Sequence, residues 1–240
     1  MKFSIVIPAH NEERFIGGCL DSVERAAERV EHGVEVIVVA NRCNDGTASV
    51  AHARGASVVP DENRSLAKTR NAGARHATGD ILVTIDADSR MTENMLVEIA
   101  RALESGRYIG GGVSIRPDRW SAGIAASYLF LRSALLLSGL CGGLFWCCRR
   151  DFEAIGGFNE ALLVAEDLDF AKRLRTHGRT QGKRLTTLRK AHIVTSCRKF
   201  DVFGDWHLFR LLLFHGRELR QALSGEDRTF ADRHFYDFNG

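Results

Sequence analysis

Two aspartates stand one residue apart at the end of a buried strand pattern, in the string Ile85-Asp86-Ala87-Asp88. Because side chains in a strand alternate with a period of two residues, Asp86 and Asp88 are expected to point the same way at the strand end. Two carboxylates so close repel each other unless a cation lies beside them. Their oxygens suit Mg²⁺ or Mn²⁺, ions that commonly also bind substrate phosphates. The pair therefore indicates a divalent-cation site, although a solvated polar turn would use the same residues.

A second group of acids, Glu166-Asp167-Leu168-Asp169, stands at the start of a helical pattern. Acids at a helix N-terminus complement the helix dipole, and this effect accounts for one or two of them. A carboxylate held beside a second charged site can also serve as a general base. The sequence leaves both interpretations open.

The segment Pro8-Ala9-His10-Asn11-Glu12-Glu13 directly follows the first strand pattern. A capped helix start would explain it. A loop that contacts a nucleotide through its backbone and through Asn11 or Glu12 would explain it equally. The segment is not the G-x-G-x-x-G of a dinucleotide-binding fold, and the chain contains no G-x-x-x-x-G-K-[ST] phosphate loop. Both of those nucleotide-binding classes are therefore unsupported.

Strand and helix patterns alternate through the first half of the chain. Strands are expected at 3–9, 34–40, 57–60 and 81–86, and helices at 14–30, 47–54, 65–77 and 92–105. Such alternation predicts βαβ units with a mostly parallel sheet covered on both faces. Ligands bind such sheets at the carboxyl ends of the strands, where the three polar segments stand. The second half is less regular, with strands expected at 108–116, 144–149, 184–188 and 191–195, and helices at 121–138, 166–177 and 205–223.

Composition narrows the class of protein. The chain has 240 residues, of which 45% are hydrophobic and 26% charged, with a net charge of +3. This balance excludes a disordered, collagenous or coiled-coil protein, and the small excess of cations argues against nucleic-acid binding. The six cysteines form no CxxC pair, so reduced thiols are expected. No signal peptide and no run of about 18 apolar residues is apparent, which favours a cytoplasmic protein.

Four motifs, in this order, resemble the family 2 glycosyltransferases with the GT-A fold: PAHNEE, NRCNDGTA, LAKTRNAGARHATGDILVTIDAD and GGFNEALLVAEDLDFAKRLRTHG. The resemblance spans about residues 3–200. It implies one GT-A-type α/β domain over 1–240, with a mixed, mostly parallel central sheet flanked by helices and a Rossmann-like N-terminal half. Within that domain it implies a nucleotide-binding half at about 1–106, an acceptor and catalytic half at about 107–200, and a C-terminal helix and tail at about 201–240.

The resemblance also implies a reaction, the metal-dependent, inverting transfer of a sugar from a nucleotide-diphosphate sugar to an acceptor hydroxyl. Asp167 matches the catalytic acid of the family's ED motif, and Glu166 is its neighbour. Asp88 would bind the divalent cation, Mg²⁺ or Mn²⁺, and Asp86 would contact the ribose or the cation. His192 could complete the metal site, although an ordinary hydrogen-bonded histidine in a strand explains it too.

The donor-binding residues that the resemblance implies surround these acids. They are Pro8, Ala9, Asn11, Glu12, Asn41, Lys68, Arg70, Asp86, Ala87, Asp88, Gly142, Gly143 and Arg198. Asn41 replaces an acid that often pairs with uracil in the family, and an amide both donates and accepts, so the base stays open. Gly142 and Gly143 would let the backbone approach the donor sugar, or would form a plain turn. Arg198 belongs to a basic loop that lies near the diphosphate, or is simply exposed.

The expected partners are a nucleotide-sugar donor and an acceptor that is a sugar, a small molecule or lipid-linked. The helix at 205–223 is apolar nearly all round, which favours burial or a homodimer contact over a peripheral membrane contact. Two other functions stay open. A sugar-nucleotide pyrophosphorylase-like enzyme would share the sheet, but the G-x-G-T-R-like loop of that class is missing after strand one. A non-catalytic nucleotide-sugar-binding protein of the same fold is the second.

Overall fold

Apolar runs rich in valine and isoleucine form the centre of the sheet. The computed structural model describes residues 1–214. Seven of the eight residues of its first strand are buried, as expected for a strand covered on both faces. Four strands run parallel in the order β3-β2-β1-β4: β1 (Lys2–Ala9), β2 (Gly33–Asn41), β3 (Ser57–Asp61) and β4 (Ile81–Thr84).

The second half of the chain extends this sheet to eight strands in the order β3-β2-β1-β4-β7-β6-β8-β5. The added strands are β5 (Ser89–Met91), β6 (Tyr108–Pro117), β7 (Phe145–Cys148) and β8 (Arg184–Thr195). β7 is antiparallel to both of its neighbours, β6 and β8 are parallel, and β5 is antiparallel to β8. The result is the expected single α/β domain with a mixed, mostly parallel sheet.

Helices cover both faces of the sheet. In the first half they are α1 (Glu13–Ala27), α2 (Thr47–Ala53), α3 (Leu66–His76) and α4 (Met95–Glu104). In the second half they are α5 (Ala122–Ser138), α6 (Arg149–Ala154), α7 (Glu166–Thr180), α8 (Arg198–Phe203) and α9 (His207–Phe214). Within residues 1–214, no helix combines the length and hydropathy that crossing a bilayer requires.

Alternate residues of β1 enter two separate cores. Phe3, Ile5 and Ile7 pack with α1 and α4 on one face of the sheet. Val6 packs on the other face with α3 and α7. On that second face a Cβ at Gly73 of α3 would come within 2.4 Å of a Val6 methyl group, so the glycine is what lets α3 lie close to β1.

The structure departs from the sequence-based expectations at four places. The strands expected at 184–188 and 191–195 form the single strand β8, whose register against β6 shifts between Val113 and Ser114. The strand expected at 81–86 ends at Thr84. The short elements α6, α8 and β5 were not expected. Of the helix expected at 205–223, the structure describes His207–Phe214, and 215–223 lies outside the described residues.

Candidate active site

Strained backbone marks the edge of the sheet where β1, β2 and β4 end. Among the described residues, the non-glycine residues with left-handed backbone are Asn11 (φ 52°), Arg42 (φ 47°) and Ala165 (φ 60°). They lie just after β1, just after β2 and just before α7. Such conformations cost energy and cluster at functional sites. The carboxyl edge of the sheet is therefore the candidate site, as a parallel sheet predicts.

Asp86 and Asp88 lie in a turn rather than in a strand. β4 has already ended, and the backbone N–H of Ser89 donates to the carbonyl oxygen of Asp86 at 3.0 Å. The alternation of a strand therefore does not orient the two side chains. The Asp86 side chain is 48% exposed and that of Asp88 16%. Each pairs with a different arginine, and Ala87 between them is buried.

Arg70 of α3 joins two acids that are far apart in sequence. Its Nη1 donates to Glu166 Oε1 at 2.7 Å and its Nη2 to Asp86 Oδ1 at 2.8 Å. The guanidinium also lies 5.3 Å from the centroid of the Phe158 ring. Burial raises the pKa of Glu166, while the Arg70 charge acts in the opposite direction. Arg70 was expected to face the nucleotide, but it is buried and holds the start of α7 against the end of β4.

Arg198 of α8 likewise pairs with two carboxylates, those of Glu12 and Asp88. Its guanidinium donates to both carboxylate oxygens of Glu12, at 2.7 Å for Nη1, and lies 3.3 Å from Asp88 Oδ2. It also stacks on Phe15, 4.8 Å from the ring centroid. Burial and then the charge of Asp86 raise the pKa of Asp88 to about 7, although Arg198 acts against them.

Of the two aspartates, Asp88 has the surroundings that a divalent cation would suit. Asp88 is a nearly buried carboxylate whose charge is poorly stabilised, and a cation beside it would relieve that cost. Within residues 1–214, no group of three or more His, Cys, Asp or Glu side chains is placed to hold a metal ion. The protein would thus supply two carboxylates and leave the remaining positions to phosphate and water, as Mg²⁺ sites usually do.

His192 is not brought into this group. Its main chain pairs with Thr92, whose N–H donates to the His192 carbonyl at 3.1 Å, one residue beyond the end of β5. Burial lowers the pKa of His192, and the nearby Arg116 charge lowers it further. A neighbouring cation opposes the binding of a second one. The expectation that His192 completes the metal site therefore finds no support in the geometry.

Asp167 differs from the acids around it. It is half-buried at the start of α7 and accepts the N–H of the next residue at 2.8 Å. It makes no ion pair with any residue in 1–214. The other carboxylates of the cluster are engaged by cations, Glu166 by Arg70 at 2.7 Å and Asp169 by Arg173 at 2.6 Å. Asp167 is thus the acid of this cluster that stays available to accept a proton.

The Asn41 side chain forms its hydrogen bonds with other residues of the protein. Its Nδ2 donates to Asp61 Oδ2 at 2.7 Å and to the Asn63 carbonyl at 2.6 Å, while its Oδ1 accepts from Arg42 Nε at 3.3 Å. A base could therefore use only the Oδ1 atom. Sequence reasoning missed Asp61, a buried carboxylate at the carboxyl end of β3 that also accepts from Thr69 at 2.7 Å. Its place at a strand end was the signal available.

The remaining expected donor-binding residues lie at or near the same edge. Pro8 and Ala9 are the buried end of β1, and Asn11 Oδ1 accepts the Asn44 N–H at 3.0 Å. Lys68 lies in the first turn of α3, where its N–H donates to the capping Ser65 hydroxyl. These contacts order the two loops that border the edge.

Gly142 and Gly143 have a packing role in this structure. The carbonyl of Gly142 accepts the Val113 N–H of β6 at 3.2 Å. Gly143 has φ 84°, and a Cβ there would come within 2.8 Å of Ile115. The two glycines therefore let the loop before β7 lie directly on β6, which accounts for them without a donor sugar.

Comparison with known proteins gives a consistent result. The family model described as "Glycosyl transferase family 2" matches residues 4–152. An undecaprenyl-phosphate 4-deoxy-4-formamido-L-arabinose transferase of Sodalis glossinidius is 33% identical over 110 residues, which are 43% of this chain and 33% of that protein. A prophage bactoprenol glucosyl transferase homolog of Escherichia coli is 35% identical over 99 residues, 37% of this chain and 31% of that protein. The chain spans less than half the length of these curated relatives.

Solved structures share the fold. S. aureus TarS 1-349 in complex with UDP-GlcNAc has a TM-score of 0.66 at 19% identity, covering 99% of this chain and 73% of that one. The mannosyltransferase PcManGT from Pyrobaculum calidifontis, in complex with GDP-Man and Mn²⁺, has a TM-score of 0.65 at 20% identity, covering 98% and 70%. At these identities the likeness establishes the fold alone.

Proposed function

This chain belongs to glycosyl transferase family 2 and is a glycosyltransferase, and we propose that it transfers a sugar from a nucleotide-diphosphate sugar with inversion at the anomeric carbon. The observation that carries the mechanism is the state of Asp167. Among the carboxylates at the start of α7 it is the one that makes no ion pair with a residue in 1–214, whereas Glu166 pairs with Arg70 and Asp169 pairs with Arg173. Because the chain belongs to this family, a sugar-nucleotide pyrophosphorylase-like function is no longer proposed for it.

In the proposed step the Asp167 carboxylate accepts the proton of the acceptor hydroxyl as the oxygen attacks the anomeric carbon. The bond between that carbon and the diphosphate oxygen breaks on the opposite face, and a nucleoside diphosphate leaves. Asp167 lies in the first turn of α7. General-base help of this type contributes about 10²–10⁴ in rate.

The leaving diphosphate needs compensating charge. A divalent cation, Mg²⁺ or Mn²⁺, held by Asp88 and Asp86 would supply the neutralisation of the charge that develops on the leaving group. Arg198 lies 3.3 Å from Asp88 and would contribute a second positive charge at the same place. Arg70 is a positioning residue, because its two hydrogen bonds hold Asp86 and Glu166, at the start of α7, next to each other.

A calorimetric titration tests the donor site. We expect Mn²⁺ to strengthen the binding of UDP or GDP by at least about tenfold in the wild type. Asp88→Asn should lose this enhancement, while Asp80→Asn, a matched change at the opposite edge of the sheet, should keep it. At least one of UDP-GlcNAc and GDP-Man, offered with Mn²⁺, should release its nucleoside diphosphate as the sugar passes to water or to an added acceptor. An Asp88→Asn protein with the full Mn²⁺ enhancement would contradict the assignment.

Among the three expected acceptor classes, the relatives favour the lipid-linked one. The names of two of them contain undecaprenyl phosphate or bactoprenol. Since this chain spans only part of those proteins, we carry over the acceptor class alone, as a proposal, and not their sugars.

A further inference from the structure

A large cleft lies between α4 and α5, along β6 and β8. Its volume is about 1020 Å³, at the upper end of the range for small-molecule sites. Most of its surface is apolar. The apolar side chains that form it include Val113, Ile115, Ile124, Leu131, Leu135 and Leu188. No part of the donor site described above accounts for a cleft of this size and lining.

The charged side chains that border the cleft are almost all cationic. They are Arg101, Arg107, Arg132, Arg189 and Lys190. Among the described residues that line it, Glu98 is the single carboxylate, and Glu98 accepts a hydrogen bond from Arg101 at 2.8 Å. The border therefore attracts an anion, while the lining favours hydrocarbon.

A buried hydroxyl in the wall also lacks a partner. Ser127 of α5 is 1% exposed, and its Oγ makes no hydrogen bond with any residue in 1–214. An unsatisfied buried hydroxyl is costly, so a polar atom of a ligand would be stabilising there. On the same helix Leu131 and Leu136 line the cleft and are 49% and 63% exposed. Apolar surface left in water on this scale commonly marks a binding site.

One end of the cleft lies next to the segment of Arg198. Cys141 and Gly142, in the loop before β7, line the cleft. Cys197 and Phe200, which flank the segment of Arg198, also line it. The cleft thus extends to the segment that carries Arg198, at the donor site.

We propose that this cleft holds the acceptor, a lipid-linked sugar whose hydrocarbon chain lies along α5, whose phosphate-type group meets the cationic border and whose sugar supplies the attacking hydroxyl. The inference rests on the proposed function, because it assigns the acceptor of that reaction to a site. The size and apolar lining fit a hydrocarbon chain, and the cations fit a phosphate-type group.

Farnesyl phosphate, titrated into the full chain by calorimetry without donor, tests the site. We expect it to bind, and we expect farnesol and inorganic phosphate each to bind at least about tenfold more weakly. Failure of farnesyl phosphate to bind would overturn the proposal. Farnesol binding as tightly as farnesyl phosphate would overturn the role given to the cations.

Two matched pairs of variants locate the binding. Leu136→Glu should weaken farnesyl phosphate binding about tenfold or more, whereas Leu137→Glu, 89% exposed on the same helix and not among the described lining residues, should not. Arg189→Glu should weaken it as well, and Arg184→Glu, on the same strand but not among the lining residues, should not. An equal loss of farnesyl phosphate affinity for both variants of either pair would show that the ligand does not bind in this cleft.

The donor assay separates the two proposals. All four variants should keep the Mn²⁺-enhanced binding of UDP or GDP, because none lies in the donor site. Intact donor turnover without farnesyl phosphate binding would remove the cleft assignment alone. Absence of donor turnover in the wild type would remove the proposed function, whatever binds in the cleft.

Discussion

Replacing Arg70 by methionine should destabilise the protein strongly. The Arg70 side chain is 6% exposed, and its partner Glu166 is 9% exposed, so the change leaves a buried carboxylate without its cation. The second partner, Asp86, is 48% exposed and can turn to water. The loss therefore comes mainly from the pair with Glu166.

The magnitude follows from this burial. Removing one partner of a buried ion pair costs about 3–5 kcal/mol, whereas a surface pair is worth about 0–1 kcal/mol. We therefore expect Arg70→Met to lower the free energy of unfolding by about 3–5 kcal/mol. At about 2–4 °C per kcal/mol for a chain of this size, Tm should fall by about 6–20 °C. Arg70→Met combined with Glu166→Gln should lose less than Arg70→Met alone, because no buried charge is then left unpaired.

Urea unfolding followed by circular dichroism, in the absence of nucleotide, measures these differences. Arg75→Met is the matched control, since Arg75 is 63% exposed and lies 3.8 Å from Glu160. It should change the free energy of unfolding by less than about 1 kcal/mol. If Arg70→Met is as stable as Arg75→Met, Arg70 does not hold the site together in the way described.

Three further changes have expected outcomes. Burial raises the pKa of Glu35, but hydrogen bonds from three neighbours outweigh this effect and lower the pKa to about 2. The ionised Glu35 side chain therefore stabilises the fold fully above its unfolded pKa of about 4.5, and this stabilisation is lost as the pH falls toward 2. The free energy of unfolding of Glu35→Gln, measured in urea, should therefore change less between pH 4.5 and 2 than that of the wild type or of the exposed control Glu24→Gln. An equal change with pH in all three proteins would contradict this. Asn41→Asp places a carboxylate where an amide now donates to Asp61 at 2.7 Å, and should cost about 1–3 kcal/mol of stability in the same assay. A stable Asn41→Asp protein with a shifted ratio of UDP to GDP affinity would instead assign base recognition to this residue. Gly73→Ala brings a Cβ within 2.4 Å of a β1 valine and should cost about 1–3 kcal/mol by overpacking, whereas no measurable loss would mean that α3 can shift.

Local signals predicted the first half of the fold well. The strands at 3–9, 34–40 and 57–60 and the helix capped by Ser65 are present, because buried β-branched runs and a side-chain cap depend on near neighbours. The single strand β8 was expected as two strands. Its continuity depends on pairing with β6, which lies about 75 residues earlier, and sequence patterns do not reveal such pairing.

The candidate site was predicted in its composition but not in its connections. Asp86, Asp88, Arg70 and Glu166 do converge on one edge, yet which charge pairs with which could not be foreseen. Arg70 and Glu166 are 96 residues apart, and they become partners only because α3 and α7 fold onto the same face of the sheet. The turn after Thr84 also replaced the strand that was expected to continue to Asp86. The pairing of β4 with β1 and β7 ends at Thr84, and sequence patterns do not show where such pairing ends.

The single-turnover rate of Asp167→Asn tests the central claim most directly. With whichever of UDP-GlcNAc and GDP-Man the wild type consumes, the rate should fall by about 10²–10⁴ while donor affinity changes little. Asp169→Asn removes a neighbouring carboxylate that Arg173 already neutralises, and its rate should stay close to that of the wild type. An Asp167→Asn protein that transfers sugar at nearly the wild-type rate would contradict the account and move the base elsewhere.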